Sequence, residues 1–258
     1  MQRSLSFATA LAALVLLGAC SSYSAPSAPP EIQATVVSAT GAISAKVDEF
    51  RGLLGQPNNG GTAGQQAAGR REISWDGAGA NPFDNRNDFP ATFFNTNVKA
   101  GAVFATPGTG FRNDSTQFVD INPSYAAEFS TFSPKKIFSP VGSNVMDVTF
   151  QVAGQPTQAL VSGFGAVFSD VDVANRTTIE FFDAAGYSLG KIVAPVRSDA
   201  AGLSFVGAKF DADVVSRVRI TLGTGSLSAT AKDISAGGQL DLVVVDDFIY
   251  GEPRLPQQ

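Results

Sequence analysis

Four aspartates are the residues of this chain best placed to do chemistry. Asp170 and Asp172 follow the apolar run at residues 163–168 (GFGAVF); two residues apart in an extended chain, they project to the same side. Asp246 and Asp247 interrupt a second apolar run at residues 243–250 (VVVDDFIY), where strict alternation points one of the two inward. A buried ionised carboxylate is costly unless it is paired or bound to a cation. Basic residues are scarce in both segments, so a hard cation is the economical partner. Calcium accepts about six to eight oxygens from carboxylates, carbonyls and amide side chains. Asp76, within Trp75-Asp76-Gly77, and residues 81–87 (NPFDNRN) offer more oxygens. The expectation is one structural Ca2+ held among Asp170, Asp172, Asp246, Asp247 and Asp76. The competing account makes these turn-forming aspartates, with the inward carboxylate satisfied by backbone N–H groups, Arg217 or Arg219.

Other chemistry is thinly supplied. The chain has no histidine and one cysteine, which removes Ser-His-Asp and Cys-His catalysis, His-ligated zinc and any intrachain disulfide framework. Ser133-Pro134-Lys135-Lys136 matches a Ser-x-x-Lys motif in spacing alone, because such a serine normally opens a helix. Gly101, Gly108 and Gly110 lack the lysine and helix of a phosphate cradle and read as turn residues. A carboxylate-only glycoside hydrolase needs two acids about 5 Å or 6.5–9.5 Å apart. Asp170, Asp172, Asp246, Asp247 and Glu180 are candidates, yet none stands in a recognisable motif. A net charge of −5, from 18 basic and 23 acidic residues, argues against nucleic acid as a partner.

The elements that must carry these residues read as strands. Met146, Val148, Phe150 and Val152 alternate with polar residues, as do Val218, Ile220 and Leu222; period two with one apolar side marks half-buried antiparallel strands. Similar runs occupy residues 160–168, 178–182, 189–193, 203–210 and 240–250. No helix is expected after residue 70. The predicted fold is an all-β antiparallel sandwich, jelly-roll-like, over residues 71–254, with a tail at 255–258. The 20 phenylalanines suit a thick core between two sheets; Phe129, Phe132 and Phe138 are read as core rather than as sugar-stacking rings. Before the sandwich, Ile32, Val36, Ile43, Val47, Phe50 and Leu54 step mostly at helical spacing. They predict an amphipathic helix, interrupted at Gly41, that packs on the domain. A Gly/Asn/Gln-rich loop follows to residue 70.

The first 19 residues have the form of a signal peptide: Arg3, then the apolar run at 5–19. The end of that run, Leu17-Gly18-Ala19-Cys20, resembles the bacterial lipobox, which implies that Cys20 is lipidated. Two or more acyl chains give stable membrane attachment, and residues 21–30 (SSYSAPSAPP) have the composition of a flexible spacer. The expected location is the bacterial cell envelope, at the outer membrane in a Gram-negative cell.

Residues 69–77 (GRREISWDG), 106–111 (TPGTGF), 163–172 (GFGAVFSDVD) and 245–253 (VDDFIYGEP) resemble a group of uncharacterised bacterial secreted proteins, which brings no established activity. More loosely, the closing strand is similar to that of MAM and galactose-binding-like jelly rolls. That resemblance implies a structural calcium and the binding of glycans or proteins. The anchor, the spacer, the sandwich and the missing catalytic residues make the leading expectation a non-catalytic module for a glycan or an envelope protein, not an enzyme. The alternatives are a structural envelope protein without a discrete ligand, and the carboxylate hydrolase.

Overall fold

The computed structural model describes residues 1, 31, 33–76, 82–197, 199 and 201–256. The signal segment, Cys20 and the Pro-rich spacer lie outside the described residues. No helix among the described residues is long and apolar enough to cross a membrane.

The chain is an all-β sandwich of two antiparallel sheets. The larger has the order β1 (Thr35–Thr40), β10 (Leu203–Lys209), β7 (Gly163–Ser169), β12 (Val244–Gly251), β5 (Ile137–Val141) and β4 (Gly110–Asp114), and β2 (Arg70–Ile73) also pairs with β12. The smaller has the order β3 (Ala102–Ala105), β6 (Val145–Phe150), β11 (Arg217–Thr221), β8 (Thr178–Phe182) and β9 (Ser188–Val193). From β5 to β8 and again from β9 to β12 the chain crosses between sheets at every step, as in a jelly-roll-like sandwich.

Burial follows position in the sheets. The strands β6 and β11 alternate between buried and partly exposed residues, as their period-two sequences predict. The central strands β7 and β12 are buried along their whole length, because both faces of the larger sheet are covered. Inside lies an aromatic core in which Trp75 stacks on Phe138 at 3.9 Å between ring centroids. Phe129 is buried and Phe132 packs on a neighbouring cluster, so the phenylalanine string is packing.

Outside, helix α1 (Ser44–Leu54) lays Val47, Phe50 and Leu54 on Val167, Phe205 and Ile249. Gly165 and Gly207 make room for Phe50: a Cβ on either would meet its ring at 2.8 Å. Only this second half of the predicted helix forms. Residues 35–40 are β1, paired with β10 from Thr35↔Lys209 to Thr40↔Ser204. The run Thr-Val-Val suits a pleated edge better than a helix, and Gly41, at φ 73°, turns the chain into α1. Past residue 70 there are also two short helical turns, α2 (Phe93–Thr96) and a 3-10 turn at Pro123–Ala127. Asn122 caps the second by accepting from the Ser124 N–H.

Candidate functional site

Three buried carboxylates converge from three separate segments. Glu128 follows the 3-10 turn, Asp170 follows the last residue of β7, and Asp233 lies in the long connection between β11 and β12. One oxygen from each lies within 4.8 Å of the others. The backbone turns sharply at Asp170, which has φ 70° and donates its N–H to the Gly202 carbonyl at 2.9 Å. Aspartate tolerates this left-handed conformation better than most residues. Its side chain is fully buried, and neither carboxylate oxygen has a hydrogen-bond partner.

The surroundings are one-sidedly acidic. Burial above all, then the charges of Asp233, Asp172, Glu128 and Asp241, pushes the Asp170 carboxyl up to about 9. Asp172, hydrogen-bonded to Asp233, is raised to about 6, again mainly by burial, and its Oδ1 is also without a partner. Asp241 is raised by burial against the pull of two donors, the Asp172 N–H at 3.1 Å and the Val173 N–H at 3.3 Å. The other two members of the triad have donors: Ser235 N–H and Leu242 N–H reach Asp233 at 2.7 Å each, and the Ser235 hydroxyl reaches Glu128 at 2.5 Å. A buried acidic triad of this kind can hold a metal ion. The orphaned oxygens of Asp170, which no donor reaches, fit such an ion.

Of the five predicted ligands, Asp170 belongs to the triad and Asp172 adjoins it. Asp76, Asp246 and Asp247 meet elsewhere, around Ser133. Between Val245↔Phe168 and Phe248↔Ala166 two residues of β12 oppose one of β7. This β-bulge breaks the alternation expected at 246–247, and both aspartates are buried, at 0% and 3% exposure. Ser133 donates its hydroxyl to Asp247 Oδ1 at 2.6 Å, while Asp246 Oδ1 and Asp76 Oδ2 lie 3.2 and 3.4 Å from Ser133 Oγ. The Phe132 N–H donates to Asp246 at 2.5 Å. Asp76 accepts from the Lys135 and Lys136 N–H groups.

Burial, followed by the Asp247 charge, raises Asp246 to about 9, so the buried pair favours a shared proton over two charges. Asp247, itself raised by burial, has Arg51 of α1 at 3.7 Å. The basic partner absent from the local sequence thus arrives from the helix. Arg217 and Arg219 pair with Asp147 instead.

Glu128 and Asp233 escaped the sequence reading because nothing local marks them. Asp241 did carry a signal: it sits between Leu240 and Leu242 in an otherwise apolar stretch.

A separate groove of about 700 Å³ opens where the end of α1, the 209–213 loop and the C-terminal residues meet. Its lining includes Gln56, Lys209, Asp211, Asp213 and Arg254, with Arg254 and Asp213 3.6 Å apart. None of Asp170, Asp172, Asp246, Asp247 and Glu180 lines it; Glu180 is bound to Lys191 at 3.1 Å and to Ser188 at 2.9 Å. No protein-family model, curated protein or solved structure matches this chain.

Proposed function

We propose that this protein is a lipid-anchored component of the bacterial cell envelope whose β-sandwich is a non-catalytic binding module for a glycan or another envelope protein. The groove beside α1 carries this reading. Its volume is within the range of about 300–1,000 Å³ usual for ligand sites. Gln56, Lys209, Asp213 and Arg254 present donors and acceptors together, which suits the hydroxyls of a glycan. The five acids that the sequence offered for hydrolysis, Asp170, Asp172, Asp246, Asp247 and Glu180, lie away from it. The lipobox-like end of the signal segment supports the anchor at Cys20.

In the same reading the ion of the acidic triad is calcium. The donors are hard carboxylate oxygens, and no histidine or cysteine accompanies them. Calcium tolerates irregular oxygen cages completed by carbonyls and water.

Two measurements test the reading. The Cys20→Ser chain is expected in the soluble fraction, whereas the parent sediments with membranes; equal sedimentation of both overturns the anchor. A glycan array probed with the Cys20→Ser chain is expected to show binding that Arg254→Ala weakens. An array blank with and without chelator removes glycans as the ligand class and turns the search to envelope proteins.

A further inference from the structure

The connection that supplies Asp233 is fixed at both ends, by Leu222 and Val243 in the main core and by Asp241, which accepts from the Asp172 and Val173 N–H groups, and is exposed over its middle. Residues 222–243 link β11 to β12 without a strand or helix of their own, and Ser228, Ala229, Thr230, Lys232, Ile234 and Ser235 are exposed. Ala231 and Leu242 anchor the connection in a small apolar cluster with Phe118, Tyr125 and Phe129. The Tyr125 hydroxyl lies 2.9 Å from the Ser228 carbonyl and 3.1 Å from that of Ala231, and Asn122 donates to the latter at 3.1 Å. Connections of this length without regular structure are usually functional or disordered.

Beside this exposed middle sit the three carboxylates. Asp170 is fixed to the sandwich by its position at the end of β7, while Asp233 belongs to the connection. Without a cation, Asp170 has no donor to offset its burial, and the Glu128 and Asp233 charges, one from the 3-10 turn and one from the connection, repel each other beside it. A divalent cation reverses the sign of that interaction and ties the connection to both β7 and the 3-10 turn.

We propose that Glu128, Asp170 and Asp233 form a cation latch: the bound ion closes the middle of the connection, residues 228–238, onto the sandwich, and its loss lets that stretch open. The latch rests on the calcium reading above. An ion that binds only the closed form lowers the open fraction by a factor of 1 + [L]/Kd, about elevenfold at ten times Kd.

Lys232, exposed within the connection, supplies the readout. The full chain is titrated with CaCl2 by calorimetry and, in parallel, digested briefly with trypsin in calcium or in chelator, with fragments identified by mass spectrometry. The latch predicts one calcium per chain and cleavage after Lys232 about tenfold slower at ten times Kd. Asp170→Asn is expected to lose both effects while keeping the parent's β-type circular dichroism. The parent chain with and without chelator decides the matter should that variant not fold. Calcium binding with unchanged cleavage overturns the latch and leaves the calcium reading standing. No calcium binding, with no protection by any divalent ion, overturns both. Protection by manganese or zinc but not calcium supports the latch and overturns calcium as its ion.

Discussion

Two buried charge clusters in this sandwich meet the cost of desolvation in opposite ways. Arg71 and Glu252, both with fully buried side chains, form a bidentate pair at 2.8 and 2.6 Å. The remaining guanidinium donors reach the carbonyls of Gly60, Thr62, Gly64 and Lys99, so the pair also fastens the Gly/Asn/Gln-rich loop. The triad of Glu128, Asp170 and Asp233 is equally buried, but every charge acting on Asp170 is an acid. The first cluster brings its own counter-charge; the second must take one from solution, as protons or as a metal ion. Buried charge alone therefore does not mark a ligand site. Buried charge of one sign, with orphaned oxygens, is an arrangement that can hold a metal ion.

The comparison can be broken most forcefully at its self-contained side. Arg71→Ala leaves Glu252 buried and unpaired, and a loss of about 3–5 kcal/mol is expected. Urea unfolding measures it; a loss under about 1 kcal/mol would mean that the pair is not the closed unit described here.

The next largest effect belongs to the triad. Calcium at a hundredfold excess over Kd should stabilise the parent chain by about 2.7 kcal/mol, seen as a rise in Tm. The Asp170→Asn variant should show no such rise. A parent Tm that stays put across millimolar calcium would remove the distinction between the two clusters.

A third prediction, one of direction, sharpens the contrast with the acidic pair at Ser133. Asp246 is raised to about 9 by burial and by Asp247, from an unfolded value of about 3.9. The folded state thus holds a proton that the unfolded chain releases, so this group's contribution is complete below about pH 4 and is lost progressively as pH rises toward about 9. Urea midpoints across that window should fall less steeply in Asp246→Asn than in the parent. The same variant should keep its calcium response, because Asp246 is not among the triad's ligands. Loss of that response would merge the two acidic clusters into one site.

How much of this was legible before folding differs by element. The alternation in β6 and β11 identified them directly, since one buried face per strand writes itself into every second residue. The segment 32–54 misled in its first half: Val36 fits a helical spacing, but β10 offered residues 35–40 an open edge, and pairing overrode periodicity. At 246–247 both carboxylates are buried, where a half-buried strand would bury one, because both faces of β12 are covered. Arg51 reached Asp247 only through the docking of α1.

The amino-acid order by itself determined the sheet class, the aromatic interior, the absence of imidazole chemistry and the presence of acids in apolar runs, because each depends on composition or on near neighbours. The tertiary structure alone decided which acids share a site. Asp170 and Asp233 are distant in the chain, and only the packing of the 222–243 connection over the end of β7 places their oxygens together. Electrostatic interaction depends on separation in space and on exclusion of water, and neither is encoded within a local window of sequence.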